Sequence, residues 1–110
     1  MLNIDGNNNI TLTRGDTLTI TVTLKKNNQT YTPEQGDEIR FALSKGFVGE
    51  PAYELKVTKV IPNDTLTFTL TSEETMLEYR SYNYDIEITH NDGSVDTFIS
   101  AKLTITGEVK

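Results

Sequence analysis

The 110 residues contain no cysteine and no tryptophan, a single histidine and only three prolines. Without a thiol there is no disulfide, no thiolate nucleophile and no cysteine-ligated zinc. One histidine cannot close a metal site on its own. No apolar run approaches the roughly 20 residues that a membrane-spanning helix needs, so no membrane is expected as a partner. Residues Met1 to Gly6 show neither the basic start nor the apolar stretch of a secretory leader. With the missing cysteines, that points to a soluble chain made and kept in a reducing cytoplasm. Basic residues are few: ten Lys and Arg are scattered among sixteen Asp and Glu, for a net charge of −6. Nucleic acid, which needs clustered cations against its phosphates, is therefore not an expected partner. Neither a glycine-rich phosphate loop nor a G-x-S-x-G elbow occurs. No cofactor, no metal and no catalytic residues are expected, and the chain does not read as an enzyme.

What the chain has instead is threonine, eighteen of them. Thr17 to Leu24 reads T-L-T-I-T-V-T-L, an alternation that sets Leu18, Ile20, Val22 and Leu24 on one face of a strand and four threonines on the other. β-branched residues suit a pleated, half-wet surface. The device recurs at Ile10 to Thr13, at Glu38 to Ser44 with Ile39, Phe41 and Leu43 inward, and at Leu66, Phe68 and Leu70. It recurs again at Tyr82, Tyr84, Ile86 and Ile88. Tyr53, Leu55 and Val57 alternate until Val60-Ile61 breaks the parity. The last strand is expected to carry Val95, Thr97, Ile99, Ala101, Leu103 and Ile105 on one face, with a bulge or a change of partner near Ser100-Ala101. Asn27-Asn28-Gln29, Pro62-Asn63-Asp64 and Asp92-Gly93 read as turns. The one helical signal is Thr71 with Glu74 three residues on, a capping box opening a short connecting helix near residues 72–79.

Seven main strands separated by turns predict an all-β domain over residues 10–107, preceded by a flexible N-terminal arm at 1–9. The pattern is that of an immunoglobulin-like antiparallel β-sandwich, with a small closed barrel as the alternative. Tyr82, at the start of the penultimate strand, is the candidate for a tyrosine corner whose hydroxyl ties back to the preceding turn, with Tyr84 as the alternate.

Candidate functional residues are few. Arg14-Gly15-Asp16 spells an integrin-binding tripeptide but reads more simply as a turn between strands. Asn9, Asn28 and Asn63 each begin an N-x-Thr triplet, a match that composition alone produces here. Asp85 and Glu87 lie two apart on the outward face of a strand, about 7 Å from one another. A carboxylate pair works as acid and base only in unlike environments, and the neighbouring sequence supplies none, so both read as solvated. His90 sits at a hairpin end. Phe47 and Val48, in a glycine-flanked loop, and Phe98, opposite Ile99 and Ala101, are the candidate interface residues. For Phe98 the alternative is a bulge that turns it inward.

The order of motifs is itself informative: Ile10 to Asp16, then Gly36 to Phe41, Glu50-Pro51, the threonine-rich strand and its corner, Tyr82 to Ile88, Asp92-Gly93, and Leu103 to Thr106. It resembles a group of small proteins from prophages of Gram-positive bacteria, and the N-terminal immunoglobulin-like domain of phage baseplate upper proteins. That resemblance implies a non-catalytic structural adaptor of a phage tail or baseplate. Such an adaptor is made in the bacterial cytoplasm, is virion-associated, and contacts other tail proteins or itself. It carries over no functional residues. The rival reading is a carbohydrate- or receptor-binding module on the same scaffold, with Tyr31, Phe47 and Tyr53 as an aromatic platform.

Overall fold

The computed structural model describes residues 3–4 and 6–108, and its ten strands contain no helix among them. Seven strands span four residues or more: β2 (Ile10–Thr13), β3 (Leu18–Thr21), β6 (Glu38–Lys45), β7 (Glu54–Ile61), β8 (Thr67–Leu70), β9 (Ser81–Thr89) and β10 (Val95–Thr106). Three are two-residue pieces: β1 (Asn3–Ile4), β4 (Lys25–Lys26) and β5 (Gln29–Thr30). A six-stranded sheet runs β1-β2-β10-β9-β6-β7, while β3 pairs with β8 and β4 with β5. All pairings are antiparallel except β2 with β10.

The β3–β8 pair lies over one face of the large sheet, and a single core fills the space between. Phe41 and Phe68, from opposite sheets, meet with ring centroids 4.8 Å apart, and Tyr84 stacks on Phe41 at 5.5 Å. Leu18, Phe41, Phe68, Ile86 and Leu103 are buried in this one cluster, and Ile20 packs against it half-buried. On the opposite side of the small sheet the threonines form hydroxyl pairs across the strands, Thr19 with Thr69 at 2.9 Å and Thr21 with Thr67 at 2.8 Å. Cross-strand pairs of this kind are the unit of sheet stabilisation, so the wet face contributes to register as well as to hydration.

Two departures from alternation shape the surface. On β7, Leu43 faces Val57 but Ser44 faces Leu55, so Lys56 is the extra residue of a bulge. Leu55 therefore does not share the inner row with Val57, as the spacing predicts, but is half exposed on the outer face; Val57 and Ile61 remain on the inner side. On β10 the bulge falls at Phe98, between Thr97 and Ile99, two residues before the expected point. It reverses the parity of everything upstream, so Val95 and Thr97 point outward and Asp96 takes the inner side beside Ile88. The expected row of six is correct only from Ile99 onward.

The expected helix at 72–79 is absent. The capping box does form: the Thr71 amide donates to Glu74 Oε1 and the Glu74 amide to Thr71 Oγ1. A single turn follows, with the Thr75 amide donating to the Thr71 carbonyl. Propagation then stops, because Thr75 is buried with its hydroxyl bonded back to the Asp16 and Ser72 carbonyls. One turn cannot repay helix nucleation without further residues to extend it. Just beyond, the Tyr82 hydroxyl donates to the Glu78 carbonyl at 2.9 Å, while the Tyr84 hydroxyl donates to the Asn8 carbonyl. Tyr82→Phe is expected to cost about 1 kcal/mol and to lower the thermal midpoint by roughly 3–6 °C. Calorimetry checks this, and an unchanged midpoint would show that the corner contributes nothing.

Turn chemistry follows the asparagines and glycines. Asn27 and Asn28 have φ of 53° and 64° and close the β4–β5 hairpin, where side chains that tolerate the left-handed region are required. Of the 1–9 segment, Asn3 and Ile4 pair with β2, and the Lys102 amide donates to Asn9 Oδ1. The edge strand β7 carries Lys56 and Lys59 along with its bulge. Lys59 bonds Glu74 at 2.7 Å and Lys56 bonds Glu54. Lysines and a bulge are the usual guards of an open sheet edge, so the outer face is the better surface for contacts.

Candidate functional site

Six strands present an outer face that the β3–β8 pair does not cover. At its β6–β7 end lies a groove of about 240 Å³. The floor is made by outward side chains of neighbouring strands: Ala42 and Ser44 from β6, Asn83 and Asp85 from β9, Ser100 from β10. All are small or short, which is what leaves the hollow. Phe47, Val48 and Tyr53, from the loop joining β6 to β7, form one wall.

That loop is a folded one. Gly46 has a φ of 73°, a left-handed backbone that glycine adopts without the strain a side chain would bring. The Glu50 amide donates to the Phe47 carbonyl and the Tyr53 amide to the Glu50 carbonyl, each at 3.0 Å. The Glu50 side chain accepts from the Phe47 amide, and Ser44 Oγ donates to the Gly46 carbonyl. Tied in this way, the loop holds Phe47 58% and Val48 83% exposed. Leu55 and Val60 extend the apolar surface along β7 at 50% and 69% exposure. Exposed apolar groups gathered at one place, rather than scattered singly, mark a contact surface.

Asp85 and Glu87 do not share one solvated environment, contrary to the reading of their sequence. Glu87 accepts from Arg40 Nη2 at 2.6 Å. Asp85 is half-buried, and its carboxyl is pushed above the ordinary carboxylate range by burial first and the Glu87 charge second, with Arg40 opposing. Among the described residues, Asp85 Oδ1 and Arg40 Nε are the buried side-chain polar atoms without a hydrogen-bond partner. Leaving such groups unpaired is costly, and both belong to residues lining this groove.

A second constellation, which sequence reasoning missed, surrounds His90 at the end of the molecule where the β9–β10 hairpin turns. His90 Nε2 lies 2.9 Å from Asp96 Oδ2 and Nδ1 lies 3.3 Å from Asp37 Oδ1. Asp37 is buried. Its other oxygen accepts from the Tyr31 hydroxyl at 2.8 Å and the Glu34 amide at 2.9 Å. Lys26 Nζ reaches Asp96 at 3.5 Å. A carboxylate at each ring nitrogen favours the state in which both nitrogens donate, the imidazolium. The His90 pKa is raised, chiefly by the bond to Asp96 and further by Asp37, against desolvation. Asp37 is held below its ordinary value by the Glu34 amide and the Tyr31 hydroxyl, with His90 adding to them. Asp96 is held low by His90 and then by Lys26. Tyr31 is pushed up to about 12, mainly by its bond to Asp37. The Phe98 bulge is what sets Asp96 on the inner side to meet His90, a shift of parity that no alternating pattern announces.

The remaining candidates divide between these two places. Tyr53 joins Phe47 and Val48 at the groove. Tyr31 does not join them: it stacks on Phe98 at 5.2 Å and meets His90 edge-on at 6.0 Å. Phe98 is half-buried and packs against the core. Arg14 is taken up by the Leu77 carbonyl at 3.2 Å and Glu108 at 3.1 Å, while Gly15 makes the turn with a φ of 84°. No group of three or more His, Asp or Glu among the described residues is placed to hold a metal ion, and no helix is long and apolar enough to cross a membrane. Comparison with protein-family models, with curated proteins and with solved structures found no match for this chain.

Proposed function

We propose that the chain is an immunoglobulin-like β-sandwich acting as a non-catalytic structural adaptor of a phage or prophage tail or baseplate, through protein–protein contacts. The observation that carries the contact reading is the apolar surface of Phe47, Val48, Leu55 and Val60, held out by a hydrogen-bonded loop and a bulged strand. The fold reading is supported by two sheets facing across one core, by the parallel β2–β10 pair and by the Tyr82–Glu78 bond at the corner before β9. The tail assignment rests on the order of sequence motifs described above. An adaptor needs a firm scaffold and a surface that loses water on docking, and desolvating these four side chains supplies the driving force.

The reading is tested by co-expressing the chain with tail-module proteins and weighing its content in purified particles. Stoichiometric incorporation is expected, together with its loss in Val48→Asp and Val60→Asp. Both residues are exposed, so both variants should retain wild-type circular dichroism. Particles that form without the chain, or that take up both variants equally, would overturn the proposal.

A further inference from the structure

Two of the open strand edges differ in kind. The edge of β7 is guarded by Lys56, Lys59 and a bulge. That of β3 has no such guard: Thr17 to Leu24 contains no charged residue and no proline, and the ladder with β8 keeps one register throughout. The Val22 amide donates to the Leu66 carbonyl at 2.8 Å. In the alternation of an antiparallel pair, Leu18 and Ile20 then bond across to β8 while Thr19 and Thr21 do not. The hydroxyl pairs Thr19–Thr69 and Thr21–Thr67 agree, since side chains come closest at the non-bonded positions. The amides and carbonyls of Thr19 and Thr21 therefore point away from β8, and among the described residues no backbone group bonds them. Beside that edge the two layers part. A slot of about 190 Å³ opens there, with Thr21 and Thr23 on one side and Ile4 and Asn8 on the other. Its accessible apolar groups are Ile4, 45% exposed, and the half-buried Ile20 and Ile99.

We propose that the outer edge of β3 is a docking site for an extended peptide segment of a partner protein, which adds to the small sheet as a third strand. Thr19 and Thr21 supply the main-chain bonds, and every second side chain of the incoming segment drops onto Ile4, Ile20 and Ile99. A row of outward amides and carbonyls at strand spacing is matched by another backbone, and an edge without guards is a template for pairing. A second copy of this chain does not fit the lane, because its described strands are already seated in its own sheets. Pairing that copy's β3 here would bring its large sheet into the space that Ile4 and Asn8 occupy. The occupant is therefore a segment free to extend on docking. The net charge of −6 favours lysine or arginine at its outward positions over acidic residues. None of Phe47, Val48, Leu55 and Val60 lines the slot, so the inference stands or falls separately from the contact surface described above.

The test is a two-dimensional amide NMR titration of the whole chain with a blocked nine-residue peptide in which valine alternates with lysine and threonine. The expected result is a saturable shift centred on the amides of Ile4, Thr19, Thr21 and Ile99. Two further peptides are N-methylated, each at one of the two alternate sets of residues. One of them should bind about tenfold more weakly or worse, because its methyl groups meet the β3 edge. Ile4→Asp should weaken binding to a similar degree by setting a charge under the incoming valines. Thr21→Pro should do so by removing an outward donor, a change that an edge strand tolerates. If Thr21→Pro loses the native spectrum, Ile4→Asp and the methylated peptides decide the matter. Phe47→Ala should bind as the wild type does. No saturable shift, or shifts confined to β7 or β8, would overturn the proposal. So would equal binding of both methylated peptides, or equal binding when glutamate replaces the lysines.

Discussion

Phe41→Ala is expected to destabilise the fold by about 3–5 kcal/mol, the range for removing a buried aromatic ring. Phe41 is fully buried, stacks on Phe68 of the facing sheet and touches Tyr84 of its own. Removing the ring therefore opens a cavity at the contact between layers, where neither sheet can move in to fill it without breaking its own ladder. Against a total stability of about 5–15 kcal/mol for a domain of this kind, such a loss leaves a marginal protein. Urea unfolding followed by circular dichroism measures it, with Phe41→Leu as the milder comparison. A loss under about 1 kcal/mol would mean that the two sheets do not depend on this contact.

The second large effect is on the response to pH. The folded pKa of His90 lies above the ordinary 6.5, so its contribution is fully present below pH 6.5 and is lost as pH rises through the folded value. Asp37 and Asp96 titrate below the ordinary 3.8 in the folded state. Their contribution is present above pH 3.8 and is lost as pH falls through their folded values. The three terms overlap between about pH 3.8 and 6.5, where the wild-type urea midpoint should be highest with respect to this cluster. Replacing His90 with alanine should remove the fall on the alkaline side of that window. His90 is the only histidine, so a single imidazole resonance reports its titration directly. A midpoint at or below 6.5 would contradict the arrangement. Lys26, Tyr31, Glu34 and Asp92 also face this cluster, but Tyr31 remains protonated throughout this range.

The relation between sequence and structure differs from one feature to the next, for physical reasons. Strands β2, β6, β8 and β9 were legible because each has one dry face and one wet face, and the period of two records that directly. The left-handed asparagines of the β4–β5 hairpin were legible because few residue types adopt that backbone at low cost. The positions of the two bulges were less legible: breaks expected at Val60-Ile61 and near Ser100-Ala101 fall at Lys56 and Phe98, since a bulge inserts one residue without changing composition. Its signature is only a break in parity, and Lys56 and Phe98 look like ordinary strand residues. The helix failed for a related reason: the capping box is a local signal and formed, but whether a turn propagates depends on what the following residues meet in space. The loop residues Phe47 and Val48 stood out in sequence, yet their partners in the groove come from four strands that only the fold brings together. The His90 cluster joins residues from 26 to 96, and no spacing within the chain connects them.

The parallel seam between β2 and β10 has a consequence for how the molecule is made. Leu103 to Thr106 lie alongside Ile10 to Thr13, and β10 stands between β2 and β9 in the sheet. During synthesis β2 therefore has no neighbour in its sheet, apart from β1, until β10 has left the ribosome. Contacts this distant along the chain slow folding, and β2 waits with Ile10 and Leu12 uncovered. A stop just before Leu103 would not trim an edge but would cut the sheet in two.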